Sequence, residues 1–357
     1  MIVYILLAGI VGLLAFYETG QRSKSDVKLL YYGLLVFLLV VGFRYGQGDY
    51  PTYEMGYNER IDVGGDAGYY FIQLFFEKLG LSFKSFVFIL SLVSVIAIYR
   101  TYRLSVWPVF GLVVILGKFF TLYAMSGIRQ YMAMVICWWA ISELLLNKRR
   151  VLFVVMVLFA YTLHGSAIIV LPVILLKDVV FSLNKASIML MAAFLIGLFF
   201  HQFFEQMANY SDFVDDRFGT YYRDSVIRGG ETMNVLNFFE NFLFLFLAIR
   251  VRKRALRYIP YYDFFLYMFL IYCAFLLAGR EVGVVKRLRD YYGIAYAFIV
   301  PGFYYFFKDI KNRQICRVIL IGYFILLMFR SLSVYDEGLS EGATGTMVPY
   351  HSIFQTE

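Results

Sequence analysis

The 357-residue sequence predicts an all-α polytopic membrane protein. Three observations carry that prediction. The chain is 61% hydrophobic and only 16% charged, with a mean hydropathy of +0.69, whereas soluble domains run near a quarter charged. A chain this apolar has too little polar surface to cover itself, so most of it must face hydrocarbon. Aromatic residues make up 20% of the sequence, with 31 Tyr and 38 Phe, which suits lipid-facing Phe and Tyr anchored at the interfaces. Finally, the apolar residues arrive in runs broken by short polar loops, about twelve of them with about eleven to thirteen as bounds.

In chain order the runs lie at 2–17, 29–43, 83–99, 105–123, 129–146, 151–163, 165–180, 186–203, 233–249, 261–279, 291–307 and 316–330. Several are shorter than the ~20 residues that cross a typical bilayer. The first, MIVYILLAGIVGLLAFY, lacks the basic leader of a secretory signal peptide and reads as a retained helix. Pro172 inside 165–180 predicts a kink or a re-entrant segment. Cys137, Cys273 and Cys316 all fall in apolar runs and read as small buried hydrophobes, with no spacing for a metal site or disulfide framework. There is no internal repeat and no linker dividing soluble domains. A single membrane-embedded domain over 1–357 is expected.

Orientation follows from the basic residues. With the N-terminus outside, the inner loops collect Arg22, Lys24 and Lys28, then Arg100 and Arg103, then Lys148, Arg149 and Arg150. Lys177 and Lys185, the cluster Arg250, Arg252, Lys253, Arg254 and Arg257, and finally Lys308, Lys311, Arg313 and Arg317 join them. Acidic residues fall mostly on the other side. Short basic loops inside are what the positive-inside rule expects. They also account for the pI of about 9.1 through topology and anionic lipid, with no nucleic acid needed. Three segments then fall outside: 44–82, 204–232 and the polar, Gly-rich tail 331–357. Within the first, AGYYFIQLFFEKLG carries Phe71, Leu74, Phe75 and Lys78 at helical spacing and predicts a helix near 67–80 lying on the outer membrane face.

Topology explains the inner cations, so the outer ones need another reason. Arg44 and Asp49 sit in FRYGQGDYPTYEMGY, directly behind the second run; Arg129 and Gln130 open the fifth, in SGIRQYMA. His164 stands in YTLHGSA between the sixth and seventh, and Arg280, Lys286, Arg287 and Arg289 precede Tyr291 in GREVGVVKRLRDYYG. Ionisable groups at membrane depth are costly and usually face a cavity or a functional path. Converging arginines suit bidentate recognition of phosphate oxygens, as a lipid diphosphate at the outer rim would require. Each residue also has a plainer reading. Arg44 or Arg129 alone could snorkel to headgroups, His164 could be a hydrogen-bonded interfacial histidine, Asp290 could neutralise Arg287 or Arg289, and His201 and His351 read as structural. No H-x-x-x-H, C-x-x-C, P-loop or D-x-D occurs, so nucleotide, zinc and metal–diphosphate readings have nothing to stand on.

The stretch FRYGQGDYPTYEMGY resembles the R-x(3–4)-G-x-D-Y-x-x-Y block of the EpsG/Wzy-type exopolysaccharide and O-antigen polymerases. GIRQYMAMVICWWA is similar to that family's R-Q-x-x-A helix opening, LHGSAIIVLPVILL to its H-x-S-A…P segment and RLRDYYGIAYAFIVP to its R-[IL]-x-x-Y-[FY]…P block. VPYHSIF is a weaker match to its closing P-Y. The blocks run in the family's order across roughly residues 43 to 350; the 204–232 loop matches nothing in it.

The resemblance implies a GT-C-like glycosyltransferase on the outer face of the bacterial cytoplasmic membrane. A growing glycan on undecaprenyl diphosphate would be the donor. A sugar hydroxyl at the non-reducing end of a fresh carrier-linked repeat would be the acceptor, and undecaprenyl diphosphate the leaving group. In that chemistry Arg129 and Arg287, supported by Arg44, Lys286 and Arg289, would stabilise the departing diphosphate, replacing a metal; no cofactor is expected. His164 or Asp49 would take the hydroxyl proton; Asp49 could equally orient Arg44 or a sugar. Tyr53, with Tyr50, Tyr57, Tyr69 and Tyr70, would offer stacking and hydrogen bonds to sugar rings. A flippase and a chain-length regulator would be partners. Two rivals stay open: an O-antigen ligase, which shares the donor, and a transporter of lipid-linked oligosaccharide. The transporter predicts cations through the middle of the spans, where this sequence has mostly Leu, Phe, Val and Gly.

Overall fold

The computed structural model describes residues 1–20, 23–63, 65–209, 235–279, 283–339 and 345–355. Helices account for nearly all of their regular structure, and the described residues contain no strand beyond an isolated bridge between Arg44 and Ser352. Three helices are long and apolar enough to cross a membrane: Lys24–Gly42, Phe83–Tyr102 and Ile310–Glu337. A fourth candidate is the pair Pro108–Lys118 and Phe120–Ser126, bent by 88° at its break. The shorter apolar helices Ile2–Tyr17, Arg150–Leu163, Gly165–Leu176 and Tyr262–Ala278 coincide with other runs marked in the sequence. The protein is an all-helical, multi-pass membrane protein.

The described residues form two compact units. The first comprises Met1–Leu171 and Phe306–Glu357. It contains α1 (Ile2–Tyr17), α2 (Lys24–Gly42), α3 (Tyr50–Glu59), α4 (Ala67–Lys78), α5 (Phe83–Tyr102), α6 (Pro108–Lys118), a π-helical turn at Phe120–Ser126, α7 (Ile128–Asn147) and α8 (Arg150–Leu163). Local chemistry sets several boundaries. Ser23 caps α2 by accepting from Asp26 N while the Asp26 carboxylate accepts from Ser23 N, a reciprocal capping box. Ser82 caps α5 the same way from Ser85 N. Pro108 opens α6, where the carboxylate of Glu18 accepts from Val109 N at 2.7 Å and Phe110 N at 3.0 Å. Two acceptor oxygens at a helix N-terminus satisfy orphan amide donors. Burial pushes the Glu18 carboxyl up to about 8, the two amide donors pulling the other way.

The centre of the first unit is α7, buried from Tyr131 to Ile141 apart from Trp139. It packs against α5, α8 and the π turn, and α6 packs against α1, α2 and the long C-terminal helix. One contact shows how tight this is: a Cβ on Gly117 would meet the Phe324 carbonyl oxygen at 2.7 Å.

Two features of the segments 44–82 and 331–357 go beyond the sequence reading. The stretch after Asp49 is a helix, α3, with a proline in its first turn, a position where the missing N–H costs nothing. The C-terminal segment is also more ordered than a polar tail. Its helix runs on to Glu337, and residues 345–355 return to the Phe43–Gly48 loop. Tyr45 N donates to the His351 carbonyl at 3.0 Å, Gly48 N to the Gly345 carbonyl at 2.7 Å and Ile353 N to the Phe43 carbonyl at 3.0 Å. Asp336 anchors the return by accepting from Met347 N and Val348 N. Gly48 has φ +61, and a Cβ there would lie 2.6 Å from the Ser126 backbone, so the loop tolerates only glycine.

The second unit spans Pro172–Tyr305. It holds the end of the 3₁₀ segment Gly165–Leu176, then α9 (Leu183–Asn209), α10 (Val235–Ala255), α11 (Tyr262–Ala278) and α12 (Gly283–Asp290). A short 3₁₀ turn (Tyr291–Ala295), α13 (Tyr296–Ile299) and a second 3₁₀ stretch (Val300–Phe306) follow, and α14 (Ile310–Glu337) belongs to the first unit. In the second unit α11 packs against α9 and α10. Arg252 donates from Nε and Nη2 to both carboxylate oxygens of Asp263, each at 2.6 Å, a bidentate pair. Pro172, flagged as a kink, sits in 3₁₀ rather than α geometry. The 210–232 part of the predicted outer loop lies outside the described residues.

Candidate active site

Five of the residues singled out in the sequence belong to the first unit and gather around α3, α4 and the start of α7. Arg129, on the first turn of α7, is the hub. Its Nη1 donates to Asp66 Oδ2 at 2.7 Å, both side chains being about 15% exposed. Its Nε reaches Tyr53 Oη at 3.4 Å, and its guanidinium lies 5.5 Å from the Tyr53 ring centroid and 5.9 Å from that of Tyr69. The two ring centroids are themselves 5.9 Å apart, so the guanidinium lies beside the Tyr53–Tyr69 pair in a cation–π arrangement with one edge paired to Asp66. Asp66 also accepts, through Oδ1, from Gly165 N at 3.3 Å. That amide directly follows His164, which ends α8 and whose Nδ1 is 2.5 Å from Ser166 Oγ. Arg129, Tyr53, Asp66 and the His164 turn therefore form one connected cluster. Gln130 is buried beside Arg129 in sequence, 5% exposed.

Arg44 lies deeper. It is 1% exposed, its Nη1 donates to the Val41 carbonyl at 2.5 Å, and its Nε has no hydrogen-bond partner. Among the described residues it forms no ion pair. Around it stand tyrosines rather than carboxylates: Tyr4, Tyr50, Tyr69, Tyr131 and Tyr350 all lie within reach of its charge. The hydroxyls of Tyr4 and Tyr350 are spent on the Met347 and Val40 carbonyls. Those of Tyr50, Tyr69 and Tyr131 are buried with no partner. Burial pulls the Arg44 guanidinium from its ordinary 12.5 down to about 10 and pushes the Tyr50 and Tyr69 phenols up. Tyr69 links the two arginines, since the charges of both act on it.

The remaining first-unit residue, Asp49, is exposed at the start of α3 and does not pair with Arg44. Four tyrosines expected to meet sugars, Tyr50, Tyr53, Tyr57 and Tyr69, are buried instead. Their rings pack on Phe83, Phe86 and one another.

In the second unit, Lys286, Arg287 and Arg289 share α12, with Tyr291 opening the 3₁₀ turn behind it. Arg287 is exposed, Lys286 half-buried and Tyr291 buried. Arg289 is 7% exposed, 4.7 Å over the Tyr272 ring, with Nε 3.2 Å from Asp290 Oδ1. Arg280 lies outside the described residues. Among the described residues no group of three or more His, Cys, Asp or Glu could hold a metal.

Asp66, Tyr131 and Ser166 join the first-unit cluster without having been flagged by the sequence. Asp66 precedes a helix and so looks like an ordinary N-cap, yet its side chain makes no cap hydrogen bond. That departure is visible only in three dimensions.

The apolar helices define the class, a multi-pass, all-helical membrane protein, and in its first unit Arg44 and Arg129 stand among tyrosines. The family follows from comparison. The EpsG family model matches residues 28–352, nearly the whole chain, and the protein belongs to the EpsG family. Membership points to a polysaccharide polymerase of glycosyltransferase type. No curated protein and no solved structure matches the chain.

Proposed function

We propose that this protein transfers a growing glycan from undecaprenyl diphosphate to the non-reducing end of a fresh, carrier-linked repeat at the outer face of the cytoplasmic membrane. It does so without a metal, on a GT-C-like framework of about twelve spans. The observation that carries this reading is a buried cation with no counter-charge among the described residues. Arg44 is 1% exposed and paired only with a backbone carbonyl, while its Nε and the hydroxyls of Tyr50, Tyr69 and Tyr131 have no partner. Burying a charge with unsatisfied donors around it is expensive, and such exceptions need an explanation. A diphosphate, with several acceptor oxygens and negative charge, would satisfy all four groups at once.

The chemistry follows from what each residue can do. Departure of the carrier diphosphate leaves negative charge on its oxygens. Arg129, held by Asp66 beside the Tyr53 and Tyr69 rings, and Arg44 beyond Tyr69 supply donors already oriented for that charge. The acceptor hydroxyl attacks the anomeric carbon, the bond from that carbon to the diphosphate oxygen breaks, and the hydroxyl proton passes to His164. That residue is preferred to Asp49 because its turn is joined to Arg129 through Asp66. The resemblance also assigns phosphate contacts to Arg287, Lys286 and Arg289; that assignment rests on the motif.

The test is complementation of a strain lacking the gene with Arg44→Ala, Arg129→Ala or Arg287→Ala. Each variant should insert into the membrane yet leave no polymer. A normal polymer ladder from all three would overturn the clamp.

A further inference from the structure

We propose that Asp66 is the positioning residue of this site. Its carboxylate ties the Arg129 guanidinium and the backbone behind His164 into one frame, so that leaving-group clamp and proton acceptor stay in register. The inference rests on the glycosyl-transfer reading above and gives Asp66 a role of its own in that reaction.

Three observations converge on it. First, Asp66 stands at the N-cap of α4 but its side chain makes no cap hydrogen bond. An aspartate at this position normally stabilises its own helix by accepting from the first turn, and here the carboxylate is committed elsewhere. Second, its two oxygens serve two different elements: Oδ2 takes Arg129 Nη1 at 2.7 Å, and Oδ1 takes Gly165 N at 3.3 Å. One side chain thereby links the start of α7 to the end of α8. Third, α4 is seated directly on that end of α8. A Cβ on Gly68 would fall 2.2 Å from Thr162 Oγ1 and 2.8 Å from the Thr162 carbonyl oxygen. Only glycine permits this approach, which brings Asp66 within reach of Gly165.

The arrangement determines which part of Arg129 can meet a substrate. Asp66 holds one nitrogen, and the Tyr53 and Tyr69 rings, 5.5 Å and 5.9 Å from the guanidinium, crowd it in cation–π contact. The donors Asp66 does not occupy are left aimed in a constant direction. A guanidinium so fixed stabilises developing charge without reorganising as the bond breaks. Released from Asp66, it would sample many rotamers, and displacements of about 1 Å in such groups cost on the order of a hundredfold in rate.

The experiment uses full-length protein in lipid nanodiscs and carrier-linked repeat extracted from a strain lacking the polymerase gene. Asp66→Ala should lower kcat about a hundredfold, with KM within about threefold, because the lost interaction matters only as the bond breaks. Asp66→Asn keeps the shape and one acceptor but not the charge, and should lower kcat about tenfold. Added formate should restore at least about a tenth of the lost rate to Asp66→Ala by refilling the carboxylate position, a response a purely structural defect would not give. Wild-type kcat in Asp66→Asn and Asp66→Ala would overturn the proposal, as would an Asp66→Ala defect that formate does not relieve. If Asp66→Ala fails to insert, the isosteric Asp66→Asn decides alone, wild-type kcat refuting. Arg129→Ala, run in parallel, separates the two claims. An inactive Arg129→Ala beside a fully active Asp66→Ala sinks the role of Asp66 and leaves the clamp standing, whereas a fully active Arg129→Ala sinks both.

Discussion

Replacing Arg44 with methionine should leave the fold at least as stable as it was and abolish polymerisation. The magnitude comes from the site itself. Burial pulls the guanidinium from 12.5 to about 10, and at about 1.4 kcal/mol per pH unit this amounts to about 3–4 kcal/mol of cost for holding the cation. The sign is that of a base whose folded value is depressed. Below pH 10 the group is charged in folded and unfolded chains alike, so the cost applies in full at neutral pH and fades only as the pH rises from about 10 toward 12.5. Against it stands one charge-assisted hydrogen bond, Nη1 to the Val41 carbonyl at 2.5 Å, which contributes about 1.5–3 kcal/mol. Methionine fills similar volume and carries no charge, so Arg44→Met should be neutral or stabilising by up to about 2 kcal/mol. Thermal unfolding in nanodiscs, with and without saturating undecaprenyl diphosphate, would measure this. The ligand should raise the wild-type midpoint and leave that of Arg44→Met unmoved. An Arg44→Met protein that is strongly destabilised would show that the arginine is a structural tie. One that still polymerises would refute the anion site.

Two further expectations follow from the same geometry. Tyr131→Phe removes a buried hydroxyl that has no partner; the unliganded protein should keep its stability within about 1 kcal/mol, while the midpoint shift produced by undecaprenyl diphosphate should shrink. Glu18, far from this cluster in sequence, should govern a pH dependence of folding. Its carboxyl is raised from 4.5 to about 8 by burial, so the proton is bound more tightly in the fold. Stability is then greatest below pH 4.5 and declines until about pH 8. Glu18→Gln should flatten unfolding midpoints across that window, and an unchanged slope would count against a buried, protonatable Glu18.

The helices were legible because burial in lipid demands long apolar runs, and each run marked in the sequence holds α- or 3₁₀-helix. The helix expected near 67–80 is present at Ala67–Lys78. What the sequence hid was chemistry between elements. Arg129 and His164 stood out as ionisable groups at the ends of apolar runs, and both join the first-unit cluster. Asp66 did not, because an aspartate before a helix is an ordinary sight and its partners lie 63 and 99 positions away. The same holds for Tyr131, one tyrosine among 31, whose unpartnered hydroxyl is defined only by what surrounds it. The tyrosines of the Tyr50–Tyr70 stretch read as a sugar-binding platform from their number; their burial, with Tyr50 and Tyr57 packed on Phe83 and Tyr69 on Phe86, is set by the fold around them. Helix α3 was foreshadowed by Pro51 alone, a residue equally at home in a turn.

The central claim, glycan transfer from a lipid diphosphate, is tested most directly with purified protein in lipid nanodiscs. The substrate is the carrier-linked repeat of the host's own pathway, with neither metal nor nucleotide added. Products are separated by size while freed undecaprenyl diphosphate is counted. The account predicts a ladder of lengthening glycans with one carrier released per step. Substrate that remains one repeat long, while the same protein speeds its movement between leaflets, would contradict it.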